Sequence, residues 1–134
     1  MKGECLCRRV AVEVHAAPEF INICNCKLCR KSGAAWGYYA PSAIEVSGTT
    51  GSYRRDDLGD EPSSEKHFCQ ECGCTTHFVV IHPEHGGMGI NMRLFDQDFL
   101  GGIEVRYYDT RALSRSGGEA RQSGTGQIGD GCAF

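Results

Sequence analysis

The chain has 134 residues, 40% hydrophobic and 23% charged, the composition of one small globular domain. Its 14 basic and 17 acidic residues give a net charge of −3, which leaves no basic excess for general nucleic-acid binding. The longest aliphatic and aromatic run, Phe78-Val79-Val80-Ile81, falls far short of the ~20 residues of a membrane span, and no apolar stretch follows Met1-Lys2-Gly3-Glu4-Cys5. The reading is therefore of a cytoplasmic protein with neither membrane nor nucleic acid among its partners.

In chain order, Arg8 to His15 alternates, with Val10, Val12 and Val14 on one face, the period of a half-buried strand. Phe20 to Cys24 and Trp36 to Ala40 follow as strands, the second stopped by Pro41. Lys27 to Lys31, between them, has room for one or two helical turns. Ile44 to Val46, Gly51 to Arg54, Glu65 to Cys69, Thr75 to Ile81, Met88 to Leu94 and Ile103 to Tyr108 continue the series. Turn formers separate them at Ser47-Gly48, Gly59 to Pro62 and His85-Gly86-Gly87. Asp56 to Glu61 reads as a solvated hairpin tip. No segment carries a helix of twelve residues. The fold class is thus mainly β, built from short antiparallel strands with little helix. From Leu113 to Gly131 almost no residue is apolar, so burial cannot offset the entropy of ordering. Residues 1–112 form the predicted domain and 113–134 a Gly/Ser-rich flexible tail.

Nine cysteines are the unusual feature of this composition. An odd number in a chain read as cytoplasmic points to metal rather than disulfides. Cys5-Leu6-Cys7 places two sulfurs on one face of an extended segment. Cys69-Gln70-Glu71-Cys72-Gly73 is a knuckle whose glycine permits the tight turn that aims both thiolates at one ion. Together they offer the four sulfurs of a closed, structural zinc site. Such sites contribute about 10–16 kcal/mol, more than the net stability of a small domain.

Cys24-Asn25-Cys26-Lys27-Leu28-Cys29 offers three sulfurs, and three ligands leave one zinc position open to water or substrate. Three thiolates on a dication make a poor activator of water but a soft site suited to sulfur, where a bound thiol loses its proton. Lys27, Arg30 and Lys31, with Arg8 and Arg9, are candidates to hold the carboxylates of an acidic thiol. Two alternatives stay open on spacing alone: Cys74 as a fourth sulfur for the second group, and an iron–sulfur cluster. Cys132 reads as a bystander thiol. His77 reads as a satisfied, partly buried imidazole, and His82 and His85 as loop residues rather than ligands. Trp36, Tyr38 and Tyr39 either line a pocket or pack as an aromatic core strand.

Gly3-Glu4-Cys5-Leu6-Cys7, Cys24-Asn25-Cys26-Lys27-Leu28-Cys29-Arg30 and Cys69-Gln70-Glu71-Cys72-Gly73, in this order, resemble the glutathione-dependent formaldehyde-activating enzyme family, which shares its domain with centromere protein V. The resemblance spans about residues 3 to 109. It implies a β-tent-like fold and two Zn2+ per chain, one structural on Cys5, Cys7, Cys69 and Cys72, one catalytic on Cys24, Cys26 and Cys29. It also implies a carbon–sulfur lyase or synthase acting on a thiol–aldehyde adduct, with glutathione as the thiol and formaldehyde as the aldehyde. The general acid stays open among Tyr38, His77 and a water. The alternative function is a zinc-stabilised binding module without chemistry, since this domain also serves within larger non-metabolic proteins.

Overall fold

Each short apolar run becomes a strand, and the strands sort into two sheets. The computed structural model describes residues 1–54, 64–82, 87–110 and 121–131. The smaller sheet has the order β1 (Lys2–Glu4), β2 (Ala11–Val14), β5 (Ile44–Ser47), all antiparallel. The larger has eight strands in the order β11 (Arg121–Gln127), β10 (Glu104–Asp109), β3 (Ile21–Cys24), β4 (Trp36–Tyr39), β9 (Met88–Asn91), β8 (Thr75–Val80), β7 (Ser64–Cys69), β6 (Thr50–Arg54). Its pairs are antiparallel except β3 and β10, which run parallel from Ile21 opposite Val105 to Cys24 opposite Tyr108. Among the described residues, helix is confined to α1 (Lys27–Ser32), α2 (Gln97–Leu100) and 3-10 turns at Pro41–Ala43 and Met92–Leu94. The protein is mainly β, as the alternation of its residues requires.

Val10, Val12 and Val14 are all buried, and Glu13 between them is exposed. With Ile21, Ile90, Met92, Phe95, Leu100 and Val105 the two inner valines form the main core between the sheets. A smaller core surrounds Cys5, Val10 and Cys69, with Cys72, Cys74 and Leu94 packed against it. Asn91 locks the centre of the large sheet: its side-chain oxygen accepts from Ala35 N–H at 3.1 Å and its amide donates to the Thr75 carbonyl at 2.8 Å. That cross-tie sets where β4 begins, and so where Trp36 stands.

The flexible tail from 113 onward is corrected by the structure over 121–128. β11 pairs along all of β10, from Arg121 opposite Asp109 to Gln127 opposite Glu104, with a bulge at Tyr107/Tyr108. Backbone pairing needs no apolar side chain, so a Gly, Ser, Thr and Gln run can complete an open sheet edge. One apolar residue anchors it. Ile128 is buried in the main core and exchanges backbone hydrogen bonds with Gly102 and Ile103 at 3.0 Å each. Asp56 to Glu61, His85, Cys132 and the stretch 113–120 lie outside the described residues.

Two candidate metal centres

Cys5 closes β1 and enters a tight turn in which Arg8 adopts a left-handed φ of 61°. The turn returns Val10 N–H to the Cys5 sulfur at 3.3 Å and sets Cys7 3.6 Å from it, sulfur to sulfur. On the other side β7 ends at Cys69, and Gly73, with φ 73°, donates its N–H to the Cys69 carbonyl at 2.9 Å. The glycine does here what the knuckle spacing requires of it. Cys7 lies 3.6 Å from Cys69, and the sulfurs of Cys5, Cys7, Cys69 and Cys72 all lie within 4.8 Å of one another. A tetrahedron of 2.3 Å zinc–sulfur bonds has edges of about 3.8 Å, so the four fit one zinc with small adjustment. Backbone N–H groups of Cys74 and Cys7 draw the Cys72 thiol down to about 6, toward the thiolate a metal needs.

Cys24 ends β3, and Cys26 is the N-cap of α1, its sulfur accepting Cys29 N–H at 3.4 Å. Gly33 stops the helix after six residues in a left-handed cap, N–H to the Cys29 carbonyl at 2.9 Å. One short helix thus presents Cys29 back toward the turn that carries Cys24 and Cys26. The three sulfurs lie within 4.8 Å of one another, and no fourth Cys, His, Asp or Glu joins them among the described residues. Cys74 stands elsewhere: it packs in the small core against Cys5 and Cys69, and its carbonyl accepts Cys69 N–H at 2.9 Å.

Every sulfur of this second group accepts a hydrogen bond from a fixed donor. Cys24 takes one from Cys26 N–H at 3.3 Å and lies 3.0 Å from the Thr110 hydroxyl. Cys29 takes one from the indole N–H of Trp36 at 3.2 Å. Such donors disperse thiolate charge and hold the ligands in place. Hydrogen bonds with Cys24 and Cys29 hold the Cys26 thiol far below the ordinary range, while those with Cys24 and Cys26 push Cys29 up. Asn25 secures the turn, donating to Asp109 at 2.7 Å and accepting Thr110 N–H at 3.0 Å, which brings the end of β10 against Cys24.

Two cavities share Cys24 and Cys29 in their walls. One, of about 370 Å³, also has Asn25, Arg30, Arg93, Tyr107, Tyr108 and Ser123 around it. The other, of about 250 Å³, is lined by Leu28, Trp36, Tyr38 and Phe78, with Asn22, Ser64, Lys66 and Thr110. Trp36 is buried, Tyr38 is 46% exposed, and the rings of Trp36 and Phe78 meet edge to face at 4.9 Å. Trp36 is therefore core and cavity wall at once, and Tyr38 is a half-exposed part of the same wall. The Asn22 amide donates to the Tyr38 hydroxyl oxygen.

Of the cations named from the sequence, Arg30 alone lines a cavity beside the three sulfurs. Arg8 and Arg9 are corrected: they belong to the other centre, Arg8 4.0 Å from Glu4 and Arg9 3.1 Å from Glu71. Arg93 and Lys66 take their place, and sequence spacing held no signal for either, because 3-10 turn and strand register alone bring them here. His77 is 5% exposed, stacked on His67 at 4.3 Å, and its Nδ1 lies 3.0 Å from the Thr76 hydroxyl. Burial and the neighbouring His67 push it down to about 4, so it stands as a neutral core imidazole outside the cavity walls.

The family described as glutathione-dependent formaldehyde-activating enzyme matches over residues 1–108, a span that includes both sulfur groups. The chain belongs to that family. One solved structure, a Rhodobacter sphaeroides protein determined as a Northeast Structural Genomics target, is similar at 25% identity and a TM-score of 0.59, over 72% of this chain and 88% of its own. No curated protein matches. Family membership supports an enzymatic role related to glutathione and formaldehyde at the level of the family. No helix among the described residues is long and apolar enough to cross a membrane.

Proposed function

We propose that this protein is a zinc-dependent carbon–sulfur lyase or synthase that makes and breaks thiol–aldehyde adducts, of which S-(hydroxymethyl)glutathione is the family's example. The observation that carries the reading is the unequal pair of sulfur groups: four that close on one another, and three that stand between two cavities. In this reading Cys5, Cys7, Cys69 and Cys72 hold a structural zinc, and Cys24, Cys26 and Cys29 a catalytic one. Zinc held by three thiolates supplies a soft Lewis-acid position where a guest thiol gives up its proton at neutral pH.

The chain's residues do the rest. Arg30 and Arg93 offer guanidinium groups to the carboxylates of the thiol carrier. Leu28, Trp36 and Phe78 shield the reacting atoms from water. Tyr38 accepts from Asn22, which leaves its own O–H to donate to the aldehyde oxygen. In the forward direction the thiolate pair forms the C–S bond, and the C=O π pair moves onto oxygen. That oxygen is then protonated, and the thiol's lost proton balances it through solvent. No electron is gained or lost overall. Holding both partners in register contributes up to about 7–11 kcal/mol to such an addition.

Exchange NMR of thiol–formaldehyde adducts, with and without protein and across several thiols, tests this. Accelerated exchange that disappears in Cys26→Ala is the expected result. Tyr38→Phe should lower the rate by about 10²–10³, the usual cost of one oxyanion donor. Exchange at the uncatalysed rate with every thiol overturns the enzyme reading and leaves the zinc-stabilised binding module.

A further inference from the structure

A one-carbon aldehyde does not need the aromatic cavity. A hydroxymethyl group fills little more than the ~30 Å³ share of one water molecule in the liquid, whereas the cavity beside Cys24 and Cys29 holds about 250 Å³. Leu28, Trp36, Tyr38 and Phe78 give it an apolar and aromatic side whose rings pack on one another. Phe78 stands edge to face with Trp36 at 4.9 Å and with Tyr38 at 6.4 Å, and Phe20 continues the array 6.0 Å from Tyr38.

Gly89 makes this arrangement possible. It faces Phe78 across one strand pair and Tyr38 across the other, and a Cβ there would stand 1.9 Å from the Phe78 ring. The ring lies over the glycine because no side chain displaces it. Lys66, a charged side chain of the wall, brings a four-methylene stem as well as its ammonium. The arginines line the other cavity.

Resting on the carbon–sulfur reading above, we infer that the carbonyl partner is an aldehyde with an aromatic or branched hydrocarbon substituent, seated among Leu28, Trp36, Tyr38 and Phe78, while the acidic thiol carrier occupies the arginine-lined cavity. The addition is the same one, with the same bond formed and the same proton balance, and it calls for no oxidant or reductant. The class of reaction that supplies such a substrate is one that releases free aldehydes, such as amine oxidation or decarboxylation. The physical gain is the transfer of the substituent from water to an aromatic wall already ordered by packing.

The test compares formaldehyde, isobutyraldehyde, benzaldehyde and phenylacetaldehyde with glutathione, by exchange NMR on the zinc-loaded full chain. Acceleration over background should favour the larger aldehydes by at least about tenfold, the discrimination that one to a few buried carbons provide. Trp36 is the only tryptophan, so its emission reports occupancy without turnover. Benzyl alcohol should change it saturably in the wild-type protein and weakly in Ser64→Leu, whose added methyls fill the cavity. Ser64→Leu should also reduce benzaldehyde exchange about tenfold more than it reduces formaldehyde exchange. Equal or greater acceleration with formaldehyde overturns this inference and leaves the carbon–sulfur reading standing. No acceleration with any aldehyde overturns both. A Trp36 emission that benzyl alcohol leaves unmoved removes the apolar seat and the inference with it.

Discussion

The two sulfur groups differ first in what surrounds them. Cys5 and Cys69 are 2% and 1% exposed, and their group sits on a small core of its own, tied down by the Cys5–Val10 turn and the Cys69–Gly73 knuckle. The three-sulfur group has no buried member, and cavities reach its walls from two sides. The same ligand atom serves both, so the sulfur chemistry cannot account for different roles. Ligand number and burial account for the two roles proposed. Four ligands around a core convert metal affinity into folding energy, and three ligands beside a cavity leave metal affinity free to be used on a guest.

The contrast makes graded predictions. Cys69→Ala should have the largest effect: soluble yield and the β-type circular dichroism should both be lost, because the closed site contributes about 10–16 kcal/mol to a fold with a margin of about 5–15. Cys26→Ala should keep the fold, bind one zinc instead of two by elemental analysis, and lose adduct exchange. Equal collapse in both variants would break the comparison at its centre.

Trp36→Phe keeps a ring in the wall but removes the N–H that Cys29 accepts. Its second zinc should be lost to a competing chelator about 10–100-fold more readily, the usual cost of an outer hydrogen bond to a metal ligand, while the first zinc stays. The smallest effect lies away from both centres, at His77. Its folded-state value of about 4 is below the ordinary 6.5, so the fold favours the neutral ring. That contribution is complete above about 6.5 and is lost as pH falls through this window toward 4. The chemical-denaturation midpoint of wild-type protein should therefore drop across that range more than that of His77→Gln. Parallel curves would remove the His77 contribution.

Most strands were legible because each is a short alternating or apolar run between turn formers, as with Ala11–Val14 and Thr75–Val80. The sulfur groups were legible for a similar reason: a C-x-C or C-x-x-C spacing states locally that two sulfurs meet. β1 and β11 were not legible, since Lys2–Glu4 and Arg121–Gln127 become strands through the neighbour they pair with rather than through side-chain pattern. The helical turn at Lys27–Ser32 was read almost to its ends.

Residue spacing determined which cysteines stand together within each half-site, and alternation between turn formers determined the mainly β character of the chain. Tertiary structure decided that the half-sites 5–7 and 69–72 converge, that Cys74 lies with them, and that Trp36, Thr110, Arg93 and Lys66 gather around the other three sulfurs. The reason is range. Spacing of a few residues fixes direction along a backbone, whereas contacts such as Cys24 with Thr110, 86 residues apart, exist only once β3 and β10 have paired.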